Sequence, residues 1–174
     1  MAEKEPMFYQ IRHLHPNETP LLETFLYEAI FIPNGVTPTP RTIINQPSLR
    51  GYINDFGSGT CDHALVAMLP DGIAVGAVWV RLLPEEHSLL NNVPTLAISV
   101  LSAYRAQGIG TALLRAMFVQ LASHGCQRVA LSVQKANPAL RLYQRIGFTT
   151  VKENGEEIVM VCEVGSACQN IAQG

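Results

Sequence analysis

The sequence predicts an α/β fold: a mixed, mostly antiparallel seven-stranded sheet with a central parallel strand pair, flanked by about four helices. Three observations carry this. Two pairs of apolar, alternating runs are joined by tight-turn residues, Pro70-Asp71-Gly72 and Asn154-Gly155, and read as antiparallel hairpins. Between them, "TLAISV" (95–100), a helical pattern and "RVALSV" (128–133) form a strand–helix–strand unit, which requires a parallel pair. At 174 residues, with 48% hydrophobic and 15% charged residues, the chain has the size and core content of one globular domain, 1–174.

Element by element, "FYQIRHL" (8–14) alternates and reads as the first strand. Asn17, Thr19 and Pro20 signal a helix running to about Ile30, with Leu22, Phe25, Leu26 and Ala29 on one face. Pro33, Pro38, Pro40 and Pro47 keep 31–47 irregular, and loops of that length in compact domains are usually functional or mobile. A short helix from Ser48 to Phe56 follows, stopped by Gly57 and Gly59. "HALVAML" and "IAVGAVWVRLL" make the first hairpin. The helix from about Gly108 to His124 repeats Ile109, Ala112, Leu113, Ala116, Met117 and Leu121 at three-and-four spacing and ends at Gly125. Asn137 and Pro138 start the last helix, which carries Leu142, Tyr143 and Ile146 and stops at Gly147. "FTTVKE" and "EEIVMVCEV" close the sheet, and 165–174 reads as a polar tail without assigned structure.

Several function classes are disfavoured at once. A formal net charge of −2 gives no basic surface for nucleic acid or an anionic membrane. No apolar run approaches the roughly 20 residues of a membrane span, and "MAEKEPMFYQ" is too polar for a secretory signal. The four cysteines, Cys61, Cys126, Cys162 and Cys168, form no CxxC pair, which argues for reduced thiols, a cytoplasmic location and no zinc. His13 and His15 share a strand face but find no third ligand at a sensible spacing, so no metal is expected.

The informative stretch is "VLSAYRAQGIGTALL" (100–114), where a strand gives way to a helix through two glycines. A Walker loop would need Lys-Ser/Thr after the second glycine, where Thr111-Ala112 stands. A dinucleotide turn would need a third small residue where Leu113 stands, and an acid further on that is absent. Arg105-Ala106-Gln107-Gly108-Ile109-Gly110 fits (Arg/Gln)-x-x-Gly-x-(Gly/Ala) instead, a helix start whose N–H groups and dipole suit a pyrophosphate. A helix start with purely structural glycines would look similar.

Together with "NPALRLYQRIGF" (137–148), this turn resembles the GCN5-related N-acetyltransferase (GNAT) superfamily, over roughly Ala64 to Phe148. The resemblance implies a GNAT fold and acetyl-coenzyme A as cosubstrate, without a metal. It implies backbone N–H groups of Gln107, Gly108, Ile109, Gly110 and Thr111 on the pyrophosphate, with Arg105 close by. It implies a strand that splays from its neighbour near Ser99 and Val100, so that backbone groups of Ile98 and Val100 pair with the pantetheine arm. A backbone N–H near Val100 or Leu101 would meet the oxyanion, Tyr143 would be the general acid at the departing sulfur, and Asn137 would hydrogen-bond the coenzyme or simply cap its helix.

One feature of the family pattern is missing. Relatives often carry a glutamate in a Pro-Glu-Leu segment as base, and this chain has Pro94-Thr95-Leu96. Glu85, Glu86, His87 and a water relay stay open for that role. The acceptor implied is the primary amine of a small molecule, bounded by the 31–47 and 84–94 segments. A coenzyme A-binding regulatory or inactive module is the alternative, and a homodimer through the closing strands is common in the family.

Overall fold

The computed structural model describes residues 6–173, so the first five residues of the expected domain, and Gly174 with them, lie outside the described residues. Seven strands form one sheet in the order β1-β2-β3-β4-β5-β7-β6. They are β1 (Gln10–His13), β2 (His63–Met68), β3 (Ala74–Arg81), β4 (Thr95–Val100), β5 (Arg128–Gln134), β6 (Thr149–Asn154) and β7 (Glu157–Glu163). All neighbours are antiparallel except β4 and β5. The helices are α1 (Leu21–Glu28), α2 (Pro47–Arg50), α3 (Ile109–Ser123), α4 (Ala139–Ile146) and α5 (Val164–Gln173). The mixed seven-stranded architecture is the one its periodicities predict.

Each sheet face has its own core. On one face α3 presses Ile109, Leu113, Leu114, Met117, Phe118 and Leu121 against Val78, Val80, Leu96, Leu131 and Val133. Gly76 lets α3 come this close: a Cβ there would stand 3.1 Å from Leu113 Cδ1 and 3.3 Å from Ser99 O. On the other face Leu22, Phe25 and Leu26 of α1 pack with Ile53, Ala77 and Trp79.

Three local expectations are corrected. Residues 165–173 are no loose tail: α5 begins at Val164, and Val164 and Ala167 are buried. Cys168 Sγ reaches Phe118 O of α3 at 3.5 Å, and Asn170 Nδ2 donates to Ile146 O at the end of α4 at 3.1 Å. Apolar residues at 164, 167, 168 and 171 follow a helical period that the polar composition hides. The helix expected from Ser48 to Phe56 shrinks to α2, because the carbonyls of Gly51 and Asn54 go to the Arg81 guanidinium at 3.2 and 2.6 Å, and turns replace the helix. The helix expected to follow Asn17 splits into a 3-10 turn, Pro16–Glu18, and α1; Glu18 accepts the Arg12 guanidinium at 2.7 and 2.8 Å and the His15 N–H at 2.8 Å.

No described helix is long and apolar enough to cross a membrane. Among the described residues no group of three or more His, Cys, Asp or Glu could hold a metal, and all four cysteines are free. His13 and His15 are both exposed.

Candidate functional site

The site begins where β4 leaves β5. Their only rung is Thr95 opposite Ala130, supported by Ala130 N–H to Pro94 O at 2.9 Å. The expected parting near Ser99 and Val100 therefore comes four residues earlier. Each strand is held on its far edge: β4 stays on β3 through Val100, and β5 stays on β7 through Gln134. The two halves follow their own twists, and a wedge opens toward the carboxyl ends of both strands.

Hydrogen-bond phase decides which groups face the wedge. Leu101 N–H donates to Val75 O at 2.9 Å, continuing the β3–β4 ladder. In an antiparallel pair bonded residues alternate, so Ser99 and Ala97 spend their backbone groups on β3 while Ile98 and Val100 turn theirs toward β5. Two expectations change here. The Leu101 N–H already has its acceptor and is no oxyanion donor. The Val100 carbonyl accepts Arg105 Nε at 2.8 Å, which leaves its N–H, with the backbone of Ile98, as the groups facing the wedge.

Beyond β4 the chain makes a 3-10 turn, Ser102–Tyr104, and then enters α3. Ala106 (φ 59°) and Gly108 (φ 85°) both take left-handed conformations, so Gly108 has a local reason to be glycine. Gly110 has none. It lies in the first turn of α3, where alanine would favour the helix by up to ~1 kcal/mol, and a Cβ there would meet nothing within 4 Å. The first bond into the helix is Ala112 N–H to Gly108 O at 3.0 Å, which leaves the N–H groups of Ile109, Gly110 and Thr111 without intrahelical acceptors. An unobstructed concave backbone of free donors at a positive helix end fits a coenzyme's pyrophosphate. Arg105 serves the fold as well, since Nη2 lies 3.4 Å from Glu28 Oε2 at the end of α1. Gln107 donates from Nε2 to Ala103 O at 3.4 Å, which leaves its backbone as the group able to serve a ligand.

Tyr143 is buried on α4, with its ring edge-on to Phe148 at 5.8 Å between centroids. Burial pushes its phenol up to about 12, so the hydroxyl keeps its proton at neutral pH. Asn137 Oδ1 accepts the N–H of Ala139, the first residue of α4, at 3.0 Å, which leaves the Nδ2 donors unused.

On the α1 face of the wedge stands a group the sequence reading missed. Val129, Leu131 and Val133 face α3, so Ser132 faces α1. Its Oγ donates to Glu157 Oε1 on β7. Tyr52, whose carbonyl accepts Trp79 Nε1 at 3.1 Å, packs on the same sheet face; burial, reinforced by the charge of Glu157, pushes its phenol up to about 12. The signal available was a lone serine inside the buried run "VALSV". Thr95, where relatives often carry a glutamate, is 1% exposed and its Oγ1 has no partner. Glu85, Glu86 and His87 form a 3-10 turn in the β3–β4 connection, before the rung and outside the wedge. A concavity of about 420 Å³ lined by Cys61, His63, His124, Cys126 and Arg128 also lies at the opposite end, where β4 and β5 begin.

A wedge between two parallel strands opens beside a glycine-lined helix start, and comparison with known proteins gives the family. The chain belongs to the acetyltransferase (GNAT) family, whose model matches residues 33–148. It is 38% identical over 91 residues to an N-alpha-acetyltransferase of Sulfurisphaera tokodaii, covering 47% of this chain and 54% of that protein. It is 34% identical over 82 residues to a mycothiol acetyltransferase of Corynebacterium glutamicum, covering 46% of this chain and 26% of that protein. The match thus spans about half or less of these relatives. Among solved structures, the fold resembles the PaiA N-acetyltransferase from Thermoplasma acidophilum in complex with coenzyme A, at a TM-score of 0.64 and 17% identity over 90% of this chain and 99% of that one. A GNAT-family acetyltransferase from Streptococcus pneumoniae superposes at 0.63 with 21% identity, again over 90% and 99%.

Proposed function

We propose that residues 1–174 form one N-acetyltransferase domain that moves an acetyl group from acetyl-coenzyme A to the primary amine of a small molecule by direct attack on the thioester. The observation that carries this reading is the wedge beyond Thr95 and Ala130, which opens next to the free N–H groups of α3 and the unobstructed Gly108 and Gly110. Bound acetyl-coenzyme A supplies an activated acyl carbon on a thiol leaving group.

This chain's residues would do the rest. The N–H groups of Gln107 to Thr111 hold the pyrophosphate at the positive end of α3. Backbone groups of Ile98 and the Val100 N–H extend β4 with the pantetheine amides, as an added strand would. With the Leu101 N–H bonded to Val75 O, the oxyanion donor would come from the same two wedge-facing groups, the N–H of Ile98 and of Val100. Tyr143, protonated up to about pH 12, donates its proton to the departing sulfur. Asn137 offers Nδ2 to the coenzyme while Oδ1 accepts the Ala139 N–H. Four free thiols support a reducing, cytoplasmic setting.

Two relatives named for N-alpha acetylation make peptide α-amines a second acceptor class to test beside small amines. The buried Thr95 in place of a carboxylate favours the other reading, a coenzyme A-binding module without turnover. The test is release of coenzyme A thiol from acetyl-coenzyme A across amino acids, polyamines, aminoglycosides and short peptides. Amine-dependent release that Tyr143→Phe lowers about 10²-fold or more, with coenzyme binding intact, supports the enzyme. Tight binding without amine-dependent release, indifferent to Tyr143→Phe, supports the module.

A further inference from the structure

We propose that Glu157, held by Ser132 at the edge of the wedge, receives the acceptor's primary ammonium group and takes its proton. The inference rests on the acetyl-transfer reading above and supplies the base that the Thr95 position lacks.

Position comes first. The last β4–β5 rung is Thr95 opposite Ala130, so Ser132 lies one step into the wedge, level with Ala97. Trp79, which pairs with Ala97, fixes Tyr52 over the same level through its Nε1 bond to the Tyr52 carbonyl. Glu157 pairs with Gln134, and its carboxylate reaches back diagonally to the Ser132 hydroxyl. Hydroxyl and carboxylate therefore meet beside the gap, on the sheet face opposite α3 where Tyr52 also packs, with the coenzyme's free-donor cradle at the gap's far end.

Charge comes second. Glu157 has no ion pair within 4.0 Å among the described residues, whereas its neighbour Glu153 is matched by Lys135 at 3.2 Å. The charged and titratable groups around it are Tyr52 from the 51–62 segment, Lys152 and Glu153 from β6, Glu156 from the turn, and Lys135 after β5. Tyr52 stays neutral, so the carboxylate presents an unmatched negative charge to whatever enters the wedge from the α1 side. A primary ammonium satisfies it: one N–H bond breaks, the proton passes to a Glu157 oxygen, and the nitrogen keeps the electron pair with which it attacks. Glu157 is exposed and returns the proton to water. Ser132 is a positioning residue, since it acts by fixing the carboxylate.

Two measurements test this, one of them independent of turnover. Ring-labelled tyrosine NMR of the full chain, titrated with propylammonium chloride against potassium chloride at equal ionic strength, is expected to shift the Tyr52 signals in wild type and not in Glu157→Gln. Equal shifts in both proteins, or none in wild type, overturn the proposal whatever the enzyme does with acetyl-coenzyme A. In the thiol-release assay Glu157→Gln is expected to lose 10²-fold or more of kcat/KM at pH 7 with ordinary amines. It should retain turnover of hydroxylamine, which is largely unprotonated at that pH, and Glu157→Asp should recover part of the loss. Equal losses with both nucleophiles mean that Glu157 is structural. Absence of release with every amine, beside a wild-type Tyr52 response, defeats the acetyl-transfer reading while leaving the ammonium subsite standing.

Discussion

Asp62→Ala is the perturbation whose cost can be worked most directly from the structure. Asp62 Oδ2 lies 3.1 Å from Arg81 Nη2, and the two side chains are 2% and 10% exposed. Arg81 also donates to the carbonyls of Gly51 and Asn54, lies over Phe56 at 5.4 Å, and has a buried Nε without a partner. Removing the carboxylate leaves a buried guanidinium with no opposite charge, a situation that costs about 3–5 kcal/mol. The N–H groups of Gly57 and Gly59, which Asp62 accepts at 2.8 and 3.1 Å, are exposed and pass to water, so their loss adds little. We take about 3 kcal/mol, which for a chain of this size lowers Tm by about 6–12 °C. Urea unfolding should show a lower midpoint at unchanged slope. Replacing both partners, Asp62→Leu with Arg81→Met, should recover part of the loss, because the unpaired charge is gone while the carbonyls of Gly51 and Asn54 lose their guanidinium donor. A single-variant loss below about 1 kcal/mol would refute the buried-pair argument.

Three further outcomes follow from the same geometry. Gly76→Ala places a Cβ 3.1 Å from Leu113 and 3.3 Å from the Ser99 carbonyl, and should cost about 1–3 kcal/mol by denaturant unfolding. The folded pKa of Tyr143, about 12, lies above its unfolded value near 10. Stability is therefore full below pH 10 and falls as pH rises toward 12, and unfolding of Tyr143→Phe across that range should show a shallower fall. His63 is shifted the other way, its pKa lowered by burial first and then by His124, whose ring centroid is 4.5 Å away. Its contribution is present above its unfolded pKa near 6.5 and lost as pH falls below it, so His63→Gln should flatten the acid limb of a stability–pH curve.

How much of this could be read beforehand varied with the range of the interaction. The α3 start was legible because a strand period, two glycines and a helical period adjoin within 15 residues of "VLSAYRAQGIGTALL". Gly147 and the turn glycines marked ends that depend on local φ. The point where β4 and β5 part was misplaced by four residues, because it is set by the β3 and β7 edges and not by the strands' own residues. Arg105 reads as a ligand-binding cation in its motif, yet it also bonds Val100 O and Glu28, a residue 77 positions away. Glu157 was hidden for the same reason: its partner Ser132 is 25 residues distant, and only the sheet register brings them together. The helix α5 was missed because its few apolar residues gain meaning only against α3 and α4.

The most direct test of the central claim is acetyl-coenzyme A binding, by calorimetry, to wild type and to Gly110→Val. A Cβ at residue 110 meets nothing within 4 Å and helical glycine is the weaker helix former, so the variant should unfold at or above the wild-type temperature. If the start of α3 is the pyrophosphate site, wild type binds one equivalent and the variant binds at least tenfold more weakly. Equal affinity in the two proteins, or no binding by wild type, would contradict the account.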